Sequence, residues 1–435
     1  MSDPVKIVVM GAGSRSFGRG ALVDTLMCEA LRDRKVTLTL VDVDEGALAR
    51  MAGLARVLNE HLGSPLTIEA TTDRAQALPG ADYVITSVTV QRYPLWEQDF
   101  RVPMAFGFRH VLGENGGPGA LFHALRNYEI ILPICRDVER LCPDALLLNF
   151  TNPESRILMA ICHLTKVRAV GLCHGVLGAR NRAAQILDRP LASLDMVTGG
   201  LNHFFWFLKI ADAKTGEDLY PELRRRIVSG EVSVPPLVRK VVEVFDHFTY
   251  PSDDHIGEYL AFAHEFVDGR WHYGQECRPV PRPGPRPAEE EDWTAPYLDG
   301  RKPAAELLRA SGELSLEIIA DIECDRKAWQ PTVNVLNDDG YVANLQREAI
   351  VEVPATVDAG GVHPEHVGPI PEPLAAFCRT QVTIQQLLIE AYHERSKKLL
   401  LQALLLDPVV DSVAQAEKLL ETMLELQKEF LPAFA

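Results

Sequence analysis

Apolar positions along the first half of the chain fall into short continuous runs separated by stretches of helical spacing. Val5–Met10 is an unbroken apolar run rich in β-branched residues and ends on glycines, the pattern of a strand buried on both faces. Ala21–Arg32 follows with helical spacing, Val36–Val41 reads as a second strand ending on Asp42, and Glu45–His61 is built from good helix formers. Further strands are expected at Leu66–Ala70, Tyr83–Val88, Ala145–Phe150 and Val167–Leu172, with helices at Leu121–Leu141 and Ser155–Leu164. Strands alternating with helices at this pitch predict a doubly wound α/β arrangement, a parallel sheet covered on both faces.

After Pro190 the texture changes. Val197–Ile210 reads as one long aromatic strand, Arg278–Asp292 as a Pro- and Arg-rich exposed loop or cover, and Gln381–Glu429 as strongly helical. The chain has 435 residues, more than the roughly 250–300 at which a single core stops growing. Two domains are therefore expected, 1–195 and 196–435.

Composition narrows the function. The net charge of −16 argues against nucleic acid or an anionic membrane as partner, since both require a basic surface. Apolar stretches fall short of the roughly 18 residues of a spanning helix, and the first strand is too short and too quickly interrupted for a signal peptide. The eight cysteines are scattered, with no C-x-x-C pair. They read as reduced thiols of a cytoplasmic protein.

Three groups of residues carry candidate chemistry. Gly11-Ala12-Gly13-Ser14 sits between the first strand and its helix, where Gly11 permits a tight turn and Gly13 a close backbone approach to a pyrophosphate. Gly18 lies one position late for G-x-G-x-x-G. Asp42 stands where a carboxylate accepts the ribose hydroxyls of NAD and repels the extra phosphate of NADP, and Ser87 joins the cofactor-binding set. The first domain is therefore of the Rossmann type. The alternative is a glycine-rich turn of another α/β protein, with Asp42 as a helix cap. In the second group, Cys173 and His174 follow the strand Val167–Leu172 directly, at the strand end where ligands bind, and His203 lies in the aromatic strand. Thiolate and imidazole suit a borderline divalent metal; on spacing alone, a Cys and a His this far apart are more often two core residues. The third group, Tyr250 to Tyr259, is dense in proton-transfer groups, including Asp253 and Asp254. It reads as a site, as a capped helix start, or as both.

Taken together, these residues resemble glycoside hydrolase family 4, the NAD- and metal-dependent glycosidases related in fold to lactate and malate dehydrogenases. The matching pieces are Gly11–Ser14, Asn152-Pro153, Gly171-Leu172-Cys173-His174-Gly175, Asn202-His203, Asp253-Asp254, and Val351-Glu352-Val353-Pro354-Ala355 followed by His363-Pro364-Glu365. They span nearly the whole chain in the family's order. The resemblance implies a lactate/malate dehydrogenase-like α+β second domain and a route outside the usual two-carboxylate scheme. In that route, hydride leaves C3 of the sugar for NAD, a base removes the acidified C2 proton, and the glycosidic oxygen leaves by elimination. Water then adds and the hydride returns.

The resemblance further implies Cys173 and His203 as ligands, usually to Mn²⁺, with Asn152 contacting substrate near C2 and C3. It offers Asp254 as candidate base, with Tyr250 as the other candidate. His174 departs from the phospho-sugar branches, which carry Asp or Asn there, and is the candidate acid or a substrate contact. Cys-His-Gly resembles members acting on non-phosphorylated α-glycosides. Gly113-Glu114-Asn115-Gly116-Gly117 resembles the α-galacturonidase branch, making Glu114 and Asn115 candidate substrate contacts. A uronate needs a cation, for which Arg92, Arg109, Arg126 and Arg156 are candidates. The expected substrate is thus an α-galacturonide, α-glucoside or α-glucuronide, with a homodimer or homotetramer as the assembly. The rival function is an NAD-dependent 2-hydroxy acid dehydrogenase with net redox turnover.

Overall fold

The structure is a computed structural model that describes residues 4–15, 17–64, 66–267 and 292–435. The Pro- and Arg-rich stretch lies outside the described residues except for Asp292. Six strands, β1 (Val5–Met10), β2 (Val36–Val41), β3 (Thr67–Thr71), β4 (Tyr83–Thr86), β5 (Leu146–Asn149) and β6 (Arg168–Gly171), run parallel in the order 3-2-1-4-5-6. This is the Rossmann order, whose strand order reverses at β1/β4 and opens a crevice for a dinucleotide. Helices α1 (Phe17–Met27), α2 (Glu45–Leu62), α3 (Arg74–Ala77), α4 (Arg92–Ala105), α5 (Gly117–Leu141), α6 (Glu154–Leu164) and α7 (Gly175–Leu187) connect or follow these strands. The strand β1 is buried almost throughout, as its unbroken apolar run requires.

The second half continues the same sheet. β7 (Leu194–Leu201), β8 (Phe204–Asp212), β9 (Ala328–Leu336), β10 (Ile350–Asp358) and β11 (Gly361–Pro364) pair antiparallel. Gly171 of β6 pairs with Asn334 of β9, so hydrogen bonding crosses from the parallel to the antiparallel part. The helices α8 (Tyr220–Val228), α9 (Pro236–Phe245), α10 (Asp253–Gly257), α11 (Ala295–Leu298) and α12 (Ser315–Glu323) lie between β8 and β9. The chain closes with α13 (Glu372–Glu394), α14 (Lys397–Leu406) and α15 (Val413–Leu426). No helix among the described residues is long and apolar enough to cross a membrane.

Two expectations need correction. The aromatic run Val197–Ile210 is not one strand but the hairpin β7–β8, turning at Asn202-His203. Phe204, Phe205, Trp206 and Phe207 are all buried, so no polar alternation sets the returning strand apart from the first. His203 itself takes φ 61 while Asn202 does not take a positive φ, the pattern of a type II turn with its second central residue left-handed. The helix expected at Ala21–Arg32 begins at Phe17, and its end is a separate 3-10 turn, Glu29–Leu31. The helix α4 was not anticipated: Pro94 and Pro103 interrupt its pattern, and no side chain caps its start.

Candidate active site

Gly11–Ser14, Asp42, Ser87, Asn152 and Cys173-His174 all follow the carboxyl ends of parallel strands. The glycine turn follows β1. Gly11 has φ +82, and a Cβ there would stand 2.2 Å from the Ser87 carbonyl oxygen. A Cβ on Gly18 would stand 2.1 Å from the Ala12 carbonyl oxygen. The late third glycine thus does the work of the usual one, letting α1 pack onto the turn. The Gly13 N–H donates to Asp42 Oδ2 at 2.8 Å and the Asp44 N–H to Oδ1 at 3.0 Å. Asp42 therefore fixes the turn while standing at the end of β2. The Phe17 N–H donates to the Ser14 hydroxyl at 3.2 Å. Backbone without Cβ next to a helix N-terminus is a cradle suited to a pyrophosphate, so these residues fit NAD.

At the end of β6 the structure joins the two candidate ligands: Cys173 Sγ is 3.3 Å from His203 Nε2. Donors bound to one ion at about 2.1 and 2.3 Å stand roughly 3.1–3.6 Å apart, so this pair fits a shared metal. Burial, chiefly, holds the His203 imidazole well below its usual range, which keeps it in the neutral, ligating form. Burial and then Glu352 push the Cys173 thiol up; a bound cation reverses that. Among the described residues no cluster of three or more His, Cys, Asp or Glu side chains is arranged as a complete metal site. Two protein ligands leave the remaining positions to substrate oxygens or water.

The third group packs over this pair. Tyr250 and His255 stack at 4.6 Å with an interplanar angle of 9°, and the His203 ring lies 5.3 Å from Tyr250 and 4.8 Å from His255. Gly175 makes room: a Cβ there would be 2.6 Å from the Tyr250 ring. Asp254 Oδ1 accepts from His255 Nδ1 at 2.7 Å and from the Ser252 hydroxyl. Asp253 does not face the site; it accepts the N–H groups of Leu237 and Val238 at 3.0 and 2.9 Å and so caps α9. Burial first, then Cys173 and nearby carboxylates, push the Tyr250 phenol up, leaving it a proton donor at neutral pH. His174, largely exposed, bonds through Nδ1 to Glu313 Oε1 at 3.0 Å. That carboxylate raises the imidazole above its usual range, so His174 carries its proton further toward neutral pH.

Asn152, preceding α6 and joined to Pro153 by a cis peptide bond, reaches Glu114 Oε1 at 3.5 Å. Arg92 Nη2 meets the same oxygen at 3.1 Å. Asn115 is buried and its side-chain nitrogen finds no partner among the described groups. The four arginines separate clearly. Arg92 is at the site, Arg109 is exposed, Arg126 is buried in an ion pair with Asp99 at 2.5 Å, and Arg156 is buried.

Four residues had no individual role legible in the chain, although His255, Glu258 and Glu352 lie within segments already singled out. His255 and Glu313 hold Asp254 and His174 respectively, and only folding brings Glu313 near. Glu352, the lone acid of Val351–Ala355, is buried, bonds Thr332 at 2.8 Å and is pushed up to about 8 by burial. An isolated acid in an apolar strand was the available signal. Glu258 ends α10 and accepts backbone N–H groups from Glu114, Asn115 and Gly116.

Comparison with known proteins accords with this geometry. The family 4 glycosyl hydrolase profile matches residues 6–189, and the family's C-terminal domain matches residues 198–410. An alpha-glucosidase of Erwinia rhapontici is 31% identical, with 98% of each chain covered. An alpha-galactosidase of Bacillus subtilis (strain 168) is 31% identical, with 93% of each covered. Among solved structures, a 6-phospho-alpha-glucosidase from gut microorganisms, in complex with NAD and Mn²⁺, superposes with TM-score 0.79 at 22% identity, covering all of both chains.

Proposed function

This chain belongs to family 4 of the glycosyl hydrolases, and from that premise we propose that it hydrolyses a non-phosphorylated α-glycoside with NAD and a divalent metal, Mn²⁺ first, as cofactors. The observation that carries the proposal is the 3.3 Å pairing of Cys173 Sγ with His203 Nε2 on the same side of the sheet as the glycine turn. When bound there, NAD supplies a hydride acceptor and the metal a Lewis acid.

The protein's own groups divide the remaining work. Gly11, Gly13 and Ser14 receive the pyrophosphate, Asp42 the ribose, and Ser87 lines the crevice. Glu114, Asn115 and Asn152 orient the sugar hydroxyls, with Arg92 holding the Glu114 carboxylate. Asp254 and the His255 imidazole it orients take the C2 proton, and the Tyr250 phenol donates a hydrogen bond beside them. His174, charged by Glu313, gives a proton to the departing glycosidic oxygen.

Charge supports a neutral substrate. The carboxylates Glu114, Asp254 and Glu313 gather around the site, and among the described residues Arg92 is the arginine there, already paired. Such a site favours an uncharged hexose over a phosphate dianion. The two relatives at 31% identity, named for glucosides and galactosides, support the same reading. A panel of nitrophenyl α-glucoside, α-galactoside, α-galacturonide and 6-phospho-α-glucoside, each assayed with and without NAD and Mn²⁺, tests it. Turnover of a neutral α-hexoside that vanishes without either cofactor is expected; turnover confined to the phosphorylated or uronide substrate, or independent of both cofactors, refutes it.

A further inference from the structure

The turn Glu114-Asn115-Gly116, which leads into α5 at Gly117, has no regular secondary structure, yet all of it is buried. Its backbone groups are met by side chains from distant elements. Glu258 Oε1 accepts three successive N–H groups, those of Glu114 at 2.6 Å, Asn115 at 2.8 Å and Gly116 at 3.2 Å. His123 of α5 donates from Nδ1 to the Glu114 carbonyl at 2.9 Å. The Gly117 N–H donates to Asp407, between α14 and α15. The fit is close: a Cβ on Gly116 would stand 2.6 Å from the Glu258 carbonyl oxygen. Successive N–H groups converging on one point form an anion-binding nest, here filled by a carboxyl group of the same chain.

Glu258 is also the residue that ends α10, the five-residue helix that carries Asp254 and His255. We infer that Glu258 is a positioning residue that locks the sugar-contacting carboxylate Glu114 to the helix bearing the Asp254–His255 pair, so that substrate orientation and proton removal share one rigid unit. This rests on the functional reading above, which places Glu114 and Asp254 in contact with the sugar. Glu258 itself is 2% exposed and touches no substrate. It acts through two anchors: the turn, whose Glu114 side chain meets Arg92 at 3.1 Å and Asn152 at 3.5 Å, and the helix it terminates. Burial, then the neighbouring Glu114, push the Glu258 carboxyl well above its usual range, so a neutral acid keeps the accepting oxygen that the three N–H groups require. The buried Arg156 side chain, whose nitrogens find no hydrogen-bond partner among the described groups, lies nearby.

The test is a double-mutant cycle on the holoenzyme with a turned-over nitrophenyl α-glycoside, joined to amide hydrogen exchange. Glu258→Ala should lower kcat/KM about 100-fold, the scale of an ångström-sized misplacement, while NAD binding persists. Glu258→Gln keeps an oxygen for the three N–H groups and should stay within about tenfold of wild type. In a Glu114→Ala background, Glu258→Ala should cost no more than about threefold further, because residues acting as a unit are not additive. Exchange at the Glu114, Asn115 and Gly116 amides should rise sharply in Glu258→Ala and little in Glu258→Gln. If Glu258→Ala does not fold, Glu258→Asp, which retracts the carboxyl group, replaces it in both measurements. Equal losses in both backgrounds, or Glu258→Gln as damaged as Glu258→Ala, overturn the inference. Unchanged amide exchange overturns it independently of turnover. A wild-type protein with no cofactor-dependent glycosidase activity refutes the functional reading and the catalytic role of the lock together, and the exchange data then decide only whether Glu258 clamps the turn.

Discussion

Replacing Gly171 by Ala is a sharp test of how the metal pair is supported. Gly171 ends β6, two residues before Cys173. A Cβ there would stand 1.6 Å from Glu154 Oε1, 2.6 Å from its Cδ and 3.0 Å from Asn334 Cβ. Glu154 begins α6, is 1% exposed and has no solvent side into which to swing. The clash must therefore displace either the buried carboxyl or the end of β6. Overpacking of a tight interior costs about 1–3 kcal/mol, and this contact belongs at the upper end. At roughly 2–4 °C per kcal/mol for a large domain, the unfolding midpoint should fall by about 6–12 °C. Because Cys173 shares the shifted segment, Mn²⁺ affinity should also fall, by about tenfold, the scale seen when a ligand's support is disturbed. Thermal unfolding with and without Mn²⁺, plus a metal titration, reads both quantities. Adding Glu154→Asp withdraws the carboxyl by about 1.5 Å and should restore much of each. A Gly171→Ala protein with wild-type midpoint and metal affinity refutes the close packing described here.

Other outcomes follow from the same geometry. Cys173→Ser should lose Mn²⁺ affinity by at least about tenfold while NAD binding, measured by fluorescence titration, stays unchanged; preserved metal affinity removes Cys173 from the site. Glu313→Gln should slow hydrolysis of glycosides with poor leaving groups by about tenfold or more, but barely affect dinitrophenyl glycosides, whose leaving oxygen needs no proton. Equal slowing of both removes His174 from the acid role. Acid should destabilise the fold through His110, which burial lowers to about 4, and His123, which burial lowers to about 3. Both must stay neutral when folded, whereas the unfolded chain binds their protons below its ordinary histidine pKa. Their contribution is therefore complete above pH ~6.5 and is lost as pH falls toward ~4. Denaturant unfolding of His110→Gln should show a shallower loss over that window, and an identical slope contradicts the assignment.

Much of this architecture was legible in the chain because local signals and tertiary demands agreed. The central parallel strands β1, β4 and β5 are buried almost throughout and read as largely apolar runs, and Gly11, Gly13 and Asp42 stand where strand–turn–helix geometry requires them. The hairpin at Asn202-His203 was hidden for the same reason: burial of both β7 and β8 removed the alternation that marks a turn. The metal pair was nameable from resemblance, but only folding shows Sγ and Nε2 converging. The roles of Glu313 and Glu258 were hidden because each acts on a partner far away in sequence. Asp253 and Asp254 illustrate the limit most plainly. They are adjacent and chemically identical, yet the backbone turns one into a cap for α9 and the other toward His255.

The central claim is that glycoside cleavage here passes through loss of the C2 proton, with NAD reduced and reoxidised in each turnover. Hydrolysis of a neutral nitrophenyl α-hexoside in D₂O, with NAD and Mn²⁺ supplied, tests it directly. The released sugar should carry deuterium at C2, with no net gain in absorbance at 340 nm. Full turnover yielding sugar with protium retained at C2, or steady accumulation of NADH, contradicts it.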